Sequence, residues 1–340
     1  MNLFTKNKWF KLLIFSLFIC LLMTGCSDSA VVKQSSEDES IKLVNDEEKV
    51  YVGFILDTLR DARWYGDKDA FENEVIDQGG NVKTLAANGL ADVQIQQAEL
   101  LIAEGVDVLV VVPYDGDAAA PIVELAHEAG IEVISYDRLI RNAAVDYYVS
   151  FDNVQVGELQ ATEILNHVPS GNYAYIGGAE SDNNAVLLRE GAMNVLQPHI
   201  DSGDINIIFD EFTDNWEPGI ATDNIKNLVE SHDGPIDAII AANDGTAGGA
   251  IEALESAQLA GDVSVSGQDA DKEALQRIKA GTQTMTVEKP MEVIAAQAAE
   301  MAIKLANGES ISTDTTVNNG QEDIPTILLE PKVLTKDNIK

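Results

Sequence analysis

The sequence predicts an α/β protein with two doubly wound lobes, each built on a parallel β-sheet. Short apolar, β-branched runs alternate with amphipathic stretches, and this rhythm is typical of βαβ units. The runs are apolar throughout, as expected for strands buried on both faces. The second half repeats the pattern of the first. With 340 residues, 45% of them hydrophobic, the chain is long enough for two cores.

The predicted elements follow one another in two series. Four strands are expected in the first half, at residues 50–56, 82–86, 106–112 and 131–136. Amphipathic helices are expected between them, at residues 92–105 and 117–130. Four more strands are expected in the second half, at residues 173–178, 205–209, 236–242 and 262–267.

An internal repeat relates the two halves. "GVDVLVVVPYDG" parallels "PIDAIIAANDG", so that Asp107 matches Asp237, and the strands that follow each close on an aspartate, Asp137 or Asp269. A unit this long exceeds any solenoid repeat and indicates two similar lobes. Ligands of doubly wound sheets bind beyond the carboxyl ends of the strands. We therefore expect a site where the two sets of strand ends face each other.

The charge of the chain excludes one class of partner. It has 57 acidic and 22 basic side chains, a formal net charge of −35. Such a surface repels nucleic acid and anionic lipid. Solubility is the simplest reading of the acidity, and no nucleic-acid partner is expected.

The N-terminus is predicted to be a targeting segment, residues 1–25. A lysine-rich start precedes the apolar run 12–23, which at 12 residues is too short to span a bilayer as an uncleaved anchor helix. The "MTGC" that follows resembles the lipobox of bacterial lipoproteins, which implies cleavage before Cys26 and lipidation of its thiol. Residues 26–48 are polar and acidic and predict a flexible tether.

No catalytic set emerges from the sequence. None of the four histidines (His127, His167, His199 and His232) has a Cys, Asp or Glu at metal-ligand spacing. No nucleophile elbow, phosphate-binding loop or dinucleotide fingerprint is present. We expect no enzyme activity, no metal and no cofactor.

Polar and aromatic residues instead follow the predicted strands. They are Arg60, Arg63, Trp64, Tyr114, Asp115, Asp137, Arg138, Asp182, Asn184, Trp216, Asn243, Asp244, Asp269 and Lys289. Carboxylates and amides bond to hydroxyl groups, arginine donates in a fork, and a tryptophan face covers the apolar side of a sugar ring. The set suits an uncharged, polyhydroxylated ligand.

Several segments carry a resemblance to a known family. "ISYDRLI", "VSFDNVQVGELQA", "ESDNNA", "ANDGTAGGAIEAL", "SGQDAD" and "AGTQTMTVEKP" occur in colinear order. From residue 49 to the C-terminus the chain resembles the D-xylose-binding proteins of bacterial ABC importers. These belong to the ribose/galactose class of periplasmic binding proteins, with a type I fold.

The resemblance implies two Rossmann-like lobes that close on a sugar like a Venus flytrap, around a hinge of three crossovers near 148–153, 287–290 and 327–332. The N-terminal lobe would comprise 49–150 plus 290–326, and the C-terminal lobe 151–289 plus 327–340. The implied ligand-binding residues are Arg63, Trp64, Asp137, Arg138, Asp182, Asn184, Trp216, Asn243, Asp269 and Lys289. Arg60 has no counterpart in the motif and is expected to pair with Asp57 or Asp61.

The implied function is a receptor that delivers D-xylose to the permease and ATPase of an ABC importer. An alternative is a sensor that presents its sugar-bound form to a membrane histidine kinase, through the same pocket. The lipobox implies a lipid anchor on the extracytoplasmic face of the cell membrane, as in a Gram-positive cell. Selection of xylose over other pentoses or glucose follows from the resemblance alone, because no steric argument separates them.

Overall fold

The computed structural model describes residues 48–313 and 315–339. The predicted targeting segment 1–25, Cys26 and nearly all of the tether 26–48 lie outside the described residues. Within those residues, no helix is both long and apolar enough to cross a membrane.

The N-terminal lobe is built on a seven-stranded sheet. Its strands are β1 (Tyr51–Leu56), β2 (Asn81–Ala86), β3 (Val108–Val111), β4 (Glu132–Tyr136), β5 (Tyr147–Phe151), β11 (Thr315–Asn318) and β12 (Asp323–Leu329). They lie in the order β11-β12-β5-β4-β3-β1-β2, and only the pairing of β11 with β12 is antiparallel. The helices of this lobe are α1 (Ala62–Asp77), α2 (Ala91–Ala103), α3 (Ala120–Glu128) and α9 (Met291–Ala306).

The C-terminal lobe has a four-stranded parallel sheet of order β7-β6-β8-β9 and an antiparallel pair, β10 with β13. These strands are β6 (Gly171–Ile176), β7 (Ile205–Glu211), β8 (Ala238–Ala241), β9 (Ser264–Val265), β10 (Met285–Glu288) and β13 (Lys332–Thr335). Its helices are α4 (Asn153–His167), α5 (Asn183–Ser202), α6 (Pro218–Ser231), α7 (Asp244–Ser256) and α8 (Lys272–Ala280).

Both faces of each main sheet are covered by helices. In β1, all six residues are buried; Phe54 packs in a core with Phe71 of α1 and Ala298 of α9, and Ile55 packs in a second core with residues of α2 and α3. The C-terminal lobe also has two cores. The predicted α/β fold with two doubly wound lobes is confirmed.

The chain passes from one lobe to the other at three places. These passages follow β5, β10 and β12, which end at Phe151, Glu288 and Leu329. Each lies at one of the crossovers that the sequence predicts. The ends of the parallel strands in the two lobes therefore meet on either side of one cleft.

The internal repeat is visible in equivalent hydrogen bonds. Oδ2 of Asp107 accepts from the backbone N–H of Tyr51 at 2.7 Å, and Oδ2 of Asp237 accepts from that of Asn172 at the same distance. Each aspartate thus anchors the start of the first strand of its lobe.

Candidate functional site

A small cavity of about 60 Å³ lies between the lobes, where the strand ends face each other. All ten residues that the sequence proposes for ligand binding line it. Four residues outside that set line it too: Asp61, Gly245, Gln268 and Asp271. The structure thus brings the whole predicted set to one place.

Arg63 stands at the centre of this cavity wall. It lies in the first turn of α1, and its side chain is 8% exposed. Its guanidinium donates to Asp67 at 3.2 Å, to Asp137 at 2.5 Å and to Asp269 at 3.0 Å. Burial alone would lower the pKa of Arg63, but these three carboxylates raise it well above its usual value. Arg63 therefore stays charged, and it links the two lobes through Asp269.

Arg138 forms the second link between the lobes. Its Nη1 donates to Asp57 at 2.7 Å, and its Nε lies 2.8 Å from Oδ2 of Asp182 in the opposite lobe. The Trp64 ring lies beside both guanidinium groups, with its centroid 4.8 Å from Cζ of Arg63 and 5.2 Å from that of Arg138. These cation–π contacts orient both arginines along one buried ring.

Asp137 is the carboxylate that balances this positive charge. It is buried, and its backbone has a left-handed φ of 59°. Burial raises its pKa, but the positive charges of Arg63, Lys289 and Arg138 outweigh that effect and bring the pKa to about 2. Nζ of Lys289 lies 3.8 Å from Asp137 and 3.5 Å from Asp269. Asp137 is thus ionised at any physiological pH.

The C-terminal lobe contributes amides from helix starts. Asp182 caps α5 by accepting from the N–H of Asn184 at 2.9 Å. Nδ2 of Asn184 reaches across to the carbonyl and to Oδ1 of Asp137, both at 3.1 Å. Asn243 caps α7 in a capping box with Thr246, whose N–H and hydroxyl both donate to Oδ1 of Asn243, at 2.8 and 2.9 Å. The caps fix the orientation of the cavity-lining side chains.

Trp216 closes one side of the cavity. It ends the short 3-10 helix Asp214–Trp216, the Trp216 turn, and its side chain is buried. The ring lies flat on Gly178, where a Cβ would come within 2.2 Å of it. Gly178, the second glycine of "GGAESDNNA", is therefore required, because any side chain there would displace the Trp216 ring.

Sequence reasoning missed polar residues around the cavity, among them the buried Asp67 and the half-buried Asp271. The carboxylate of Asp67 accepts hydrogen bonds from the hydroxyl of Tyr136, at 2.5 Å, and from the guanidinium of Arg63. The spacing of four residues between Arg63 and Asp67 on α1 was a usable signal. Asp271 stands two residues after Asp269, where burial and the charge of Asp269 raise its pKa to about 6.

Four polar residues that follow strands in the sequence do not line the cavity. Asp115 accepts from two backbone N–H groups of its own turn, at 2.9 Å each. Asp244 is buried behind the cavity, where Gln283 and Thr286 donate to it. Tyr114 and Arg60 lie outside it as well; Arg60 pairs with Asp61 at 3.4 Å, whereas Asp57 pairs with Arg138.

The electrostatics of the cavity favour an uncharged ligand. Its three cations, Arg63, Arg138 and Lys289, already face carboxylates of the protein, so no negative charge is required from the ligand. Three buried polar atoms at the wall have no protein hydrogen-bond partner within the described residues: Nε1 of Trp216, Oδ1 of Asn184 and Oε1 of Gln268. Buried polar atoms normally find a partner, so these are available to a polar ligand. No group of three metal-ligating side chains that could hold an ion occurs in the described residues.

A family comparison agrees with this geometry. A family model described as "Periplasmic binding protein domain" matches residues 52–310. The chain belongs to the periplasmic binding proteins. Members of this family bind solutes and do not catalyse reactions, so the chain is a solute-binding receptor and not an enzyme.

Individual relatives cover most of the chain. The D-xylose-binding periplasmic protein of Escherichia coli K12 is 43% identical over 320 residues, 94% of each chain. That of Haemophilus influenzae is 44% identical over 288 residues, 85% of this chain and 87% of its own. Among solved structures, a carbohydrate transporter solute binding protein of Chloroflexus aurantiacus in complex with D-glucose matches with a TM-score of 0.80. It is 35% identical and covers 86% of this chain and 94% of its own.

Proposed function

We propose that this periplasmic binding protein captures D-xylose between its lobes and delivers it to the permease and ATPase of an ABC importer. The observation that carries the proposal is that all ten predicted residues line one interlobe cavity. The names of two relatives that exceed 40% identity support D-xylose as the sugar.

The residues suggest how a sugar would be held. Arg63, Arg138 and Lys289 donate to hydroxyl oxygens, and the aspartates accept from hydroxyl hydrogens. Trp216 covers the apolar face of the ring. Because the lobes already exchange ion pairs through Arg63 and Arg138, a neutral sugar enters the network without adding charge. Micromolar affinity, about −8 kcal/mol, is within reach of such contacts.

The two lobes are proposed to close by rotation about a hinge at the three crossovers. The moving bodies are the two lobes that the resemblance implies, 49–150 plus 290–326 and 151–289 plus 327–340, except that Phe151 and residues 327–329 move with the N-terminal sheet, because β5 and β12 end at Phe151 and Leu329. Sugar binds the closed form better than the open form and shifts the population towards it. The importer then recognises the closed form.

The test is a calorimetric titration with xylose, ribose, arabinose and glucose. We expect xylose to bind in the micromolar range, and Trp216→Ala and Asp269→Ala to lose more than about 100-fold in affinity, because each removes a wall or a charged partner of the cavity. Asp210→Ala is the control, since Asp210 pairs with Arg189 within the C-terminal lobe. Near-wild-type affinity of both cavity variants would falsify the assigned site. Glucose binding tighter than xylose would reassign the ligand.

We also propose that the chain is cleaved before Cys26 and lipid-anchored on the extracytoplasmic face of a Gram-positive membrane. The lysine-rich start, the short apolar run and "MTGC" support this. Metabolic labelling with a fatty-acid analogue should mark the wild-type protein and not Cys26→Ser. Equal labelling of both would overturn the anchor and leave the sugar-binding proposal untouched.

A further inference from the structure

The backbone of the Trp216 turn is in an unusual conformation. Asn215 and Trp216 both have left-handed φ values, 54° and 57°. Left-handed φ is tolerated by asparagine but is an outlier for a bulky aromatic residue. Such conformations persist only where surrounding contacts hold them, and they concentrate at ligand sites.

Contacts from the opposite lobe hold this turn. Nη2 of Arg60 donates to the carbonyl of Asn215 at 2.7 Å, and the hydroxyl of Tyr114 donates to Oδ1 of Asn215 at 2.8 Å. Nη1 of Arg60 lies 3.2 Å from Glu217. Arg60 follows β1 and Tyr114 follows β3, so both belong to the N-terminal lobe, whereas the turn follows β7. The residues on either side of Trp216 are thus gripped across the cleft.

Neither Arg60 nor Tyr114 touches the sugar cavity. They line a second, larger cavity of about 450 Å³ on the other side of Trp216. The two cavities share two residues, Arg138 and Trp216. Tyr114 therefore reaches the sugar cavity through the turn that carries the shared tryptophan, and Arg60 reaches it through that turn and through its exposed pair with Asp61 at 3.4 Å.

We propose that Arg60 and Tyr114 form an interlobe latch that positions Trp216 and slows ligand release. This inference rests on the proposed sugar-binding function. When the lobes open, the bonds to Asn215 break and the tryptophan loses its support. The latch therefore acts on the dissociation rate, while the association rate and the order of preference among sugars stay as the cavity sets them.

The two residues should contribute unequally. Tyr114 makes a hydrogen bond between neutral groups, and its loss should raise the dissociation rate about threefold. Arg60 makes a charge-assisted bond to a carbonyl, and its loss should raise the rate about tenfold. The pair with Glu217 adds little, because the Arg60 and Glu217 side chains are 44% and 47% exposed.

The experiment is stopped-flow tryptophan fluorescence on the full chain, with xylose release from wild type, Arg60→Gln, Tyr114→Phe and the double variant. Two matched controls remove contacts within one lobe: Arg189→Gln breaks the pair with Asp210, and Tyr51→Phe removes the bond to Glu104. We expect faster release in the latch variants, wild-type release in the controls, and an unchanged xylose-to-glucose affinity ratio throughout.

Three results would overturn the latch. If wild type binds xylose and both latch variants release it at the wild-type rate, the latch alone is wrong. If the variants change the affinity ratio or slow association, Arg60 and Tyr114 contact the sugar and are not positioning residues. If wild type binds none of the sugars, the proposed function fails and the latch fails with it.

Discussion

The two lobes share a scaffold but differ in the charge that they bring to the cleft. In both, an aspartate holds the first strand, and a second aspartate with left-handed φ follows a later strand and lines the cavity. The backbone N–H groups of these second aspartates, Asp137 and Asp269, each donate to a valine carbonyl at 2.8 Å. The residue that follows is Arg138 in the first lobe and Ala270 in the second.

This difference and the position of Arg63 in α1 make the lobes complementary in charge. Both cavity arginines, Arg63 and Arg138, come from the N-terminal lobe, and the carboxylates that they reach across the cleft, Asp269 and Asp182, come from the other. Because the two arginines lie in one copy of the repeat and their aspartate partners in the other, the lobes can pair with each other across the cleft. Variants that remove one member of a matched set test this asymmetry.

The largest effect is expected for Arg138→Met. It leaves two buried carboxylates, Asp57 and Asp182, without their cation, and removing one partner of a buried pair costs about 3–5 kcal/mol. Urea denaturation should show this loss in the free energy of unfolding. Arg189→Met, which breaks a partly exposed pair, should cost about 1 kcal/mol or less. Equal losses of unfolding free energy in the two variants would mean that burial of Arg138 in the cleft does not increase its contribution to stability.

The next largest difference in stability is expected between variants of the two repeat-related aspartates, Asp137 and Asp269. Asp137→Asn removes a carboxylate whose pKa of about 2 lies below the usual 3.8, a difference of about 2 kcal/mol in stability near neutral pH. Because its pKa is lowered in the folded state, this contribution is present above pH 4 and is lost as the pH falls towards 2. Asp269→Asn should cost less, since its side chain is 11% exposed. Urea unfolding curves of both variants at pH 7 and pH 3 measure these losses. A loss for Asp269→Asn at pH 7 as large as that for Asp137→Asn would contradict the expected difference.

The linear pattern of residues that follow strands selected fourteen candidates, and the resemblance to the D-xylose-binding proteins singled out the ten that line the cavity. The partners that hold them were only partly predictable. The spacing of four residues on one helix signals the pair of Arg63 with Asp67, but Tyr136 lies within a strand, and only packing brings its hydroxyl to Asp67. The choice of Asp61 over Asp57 as partner of Arg60 likewise depends on the buried position of Arg138.

A smaller and symmetric effect is expected for the two anchoring aspartates. Asp107→Ala and Asp237→Ala each leave a strand N–H without its carboxylate, which should cost about 1–2 kcal/mol in either lobe. Differential scanning calorimetry would measure both. A loss confined to one lobe would show that the repeat is similar in geometry but not in energetics.

The smallest effect concerns Asp271, on the acidic side of the cavity. Its pKa is raised to about 6, so the folded state holds a proton that the unfolded chain has released, and stability falls as the pH rises from about 4 to 6. Asp271→Asn should remove this slope and stabilise the protein at pH 7 by about 1 kcal/mol or less, because the group is partly exposed. The urea midpoints of the wild type and of Asp271→Asn should agree at pH 4, and the variant should have the higher midpoint at pH 7. The same difference at both pH values would contradict the assignment.

The cap at the start of α7 has a consequence for what the cavity can read. The backbone N–H and the hydroxyl of Thr246 both lie within hydrogen-bond distance of the carboxamide oxygen of Asn243, which leaves the N–H groups of that side chain for another partner. In the proposed site, Asn243 would donate to a ligand oxygen and would not accept from a ligand hydroxyl. An aspartate there would still begin the helix, but it would invert the polarity of that contact, so the helix tolerates a substitution that the proposed sugar contact would not.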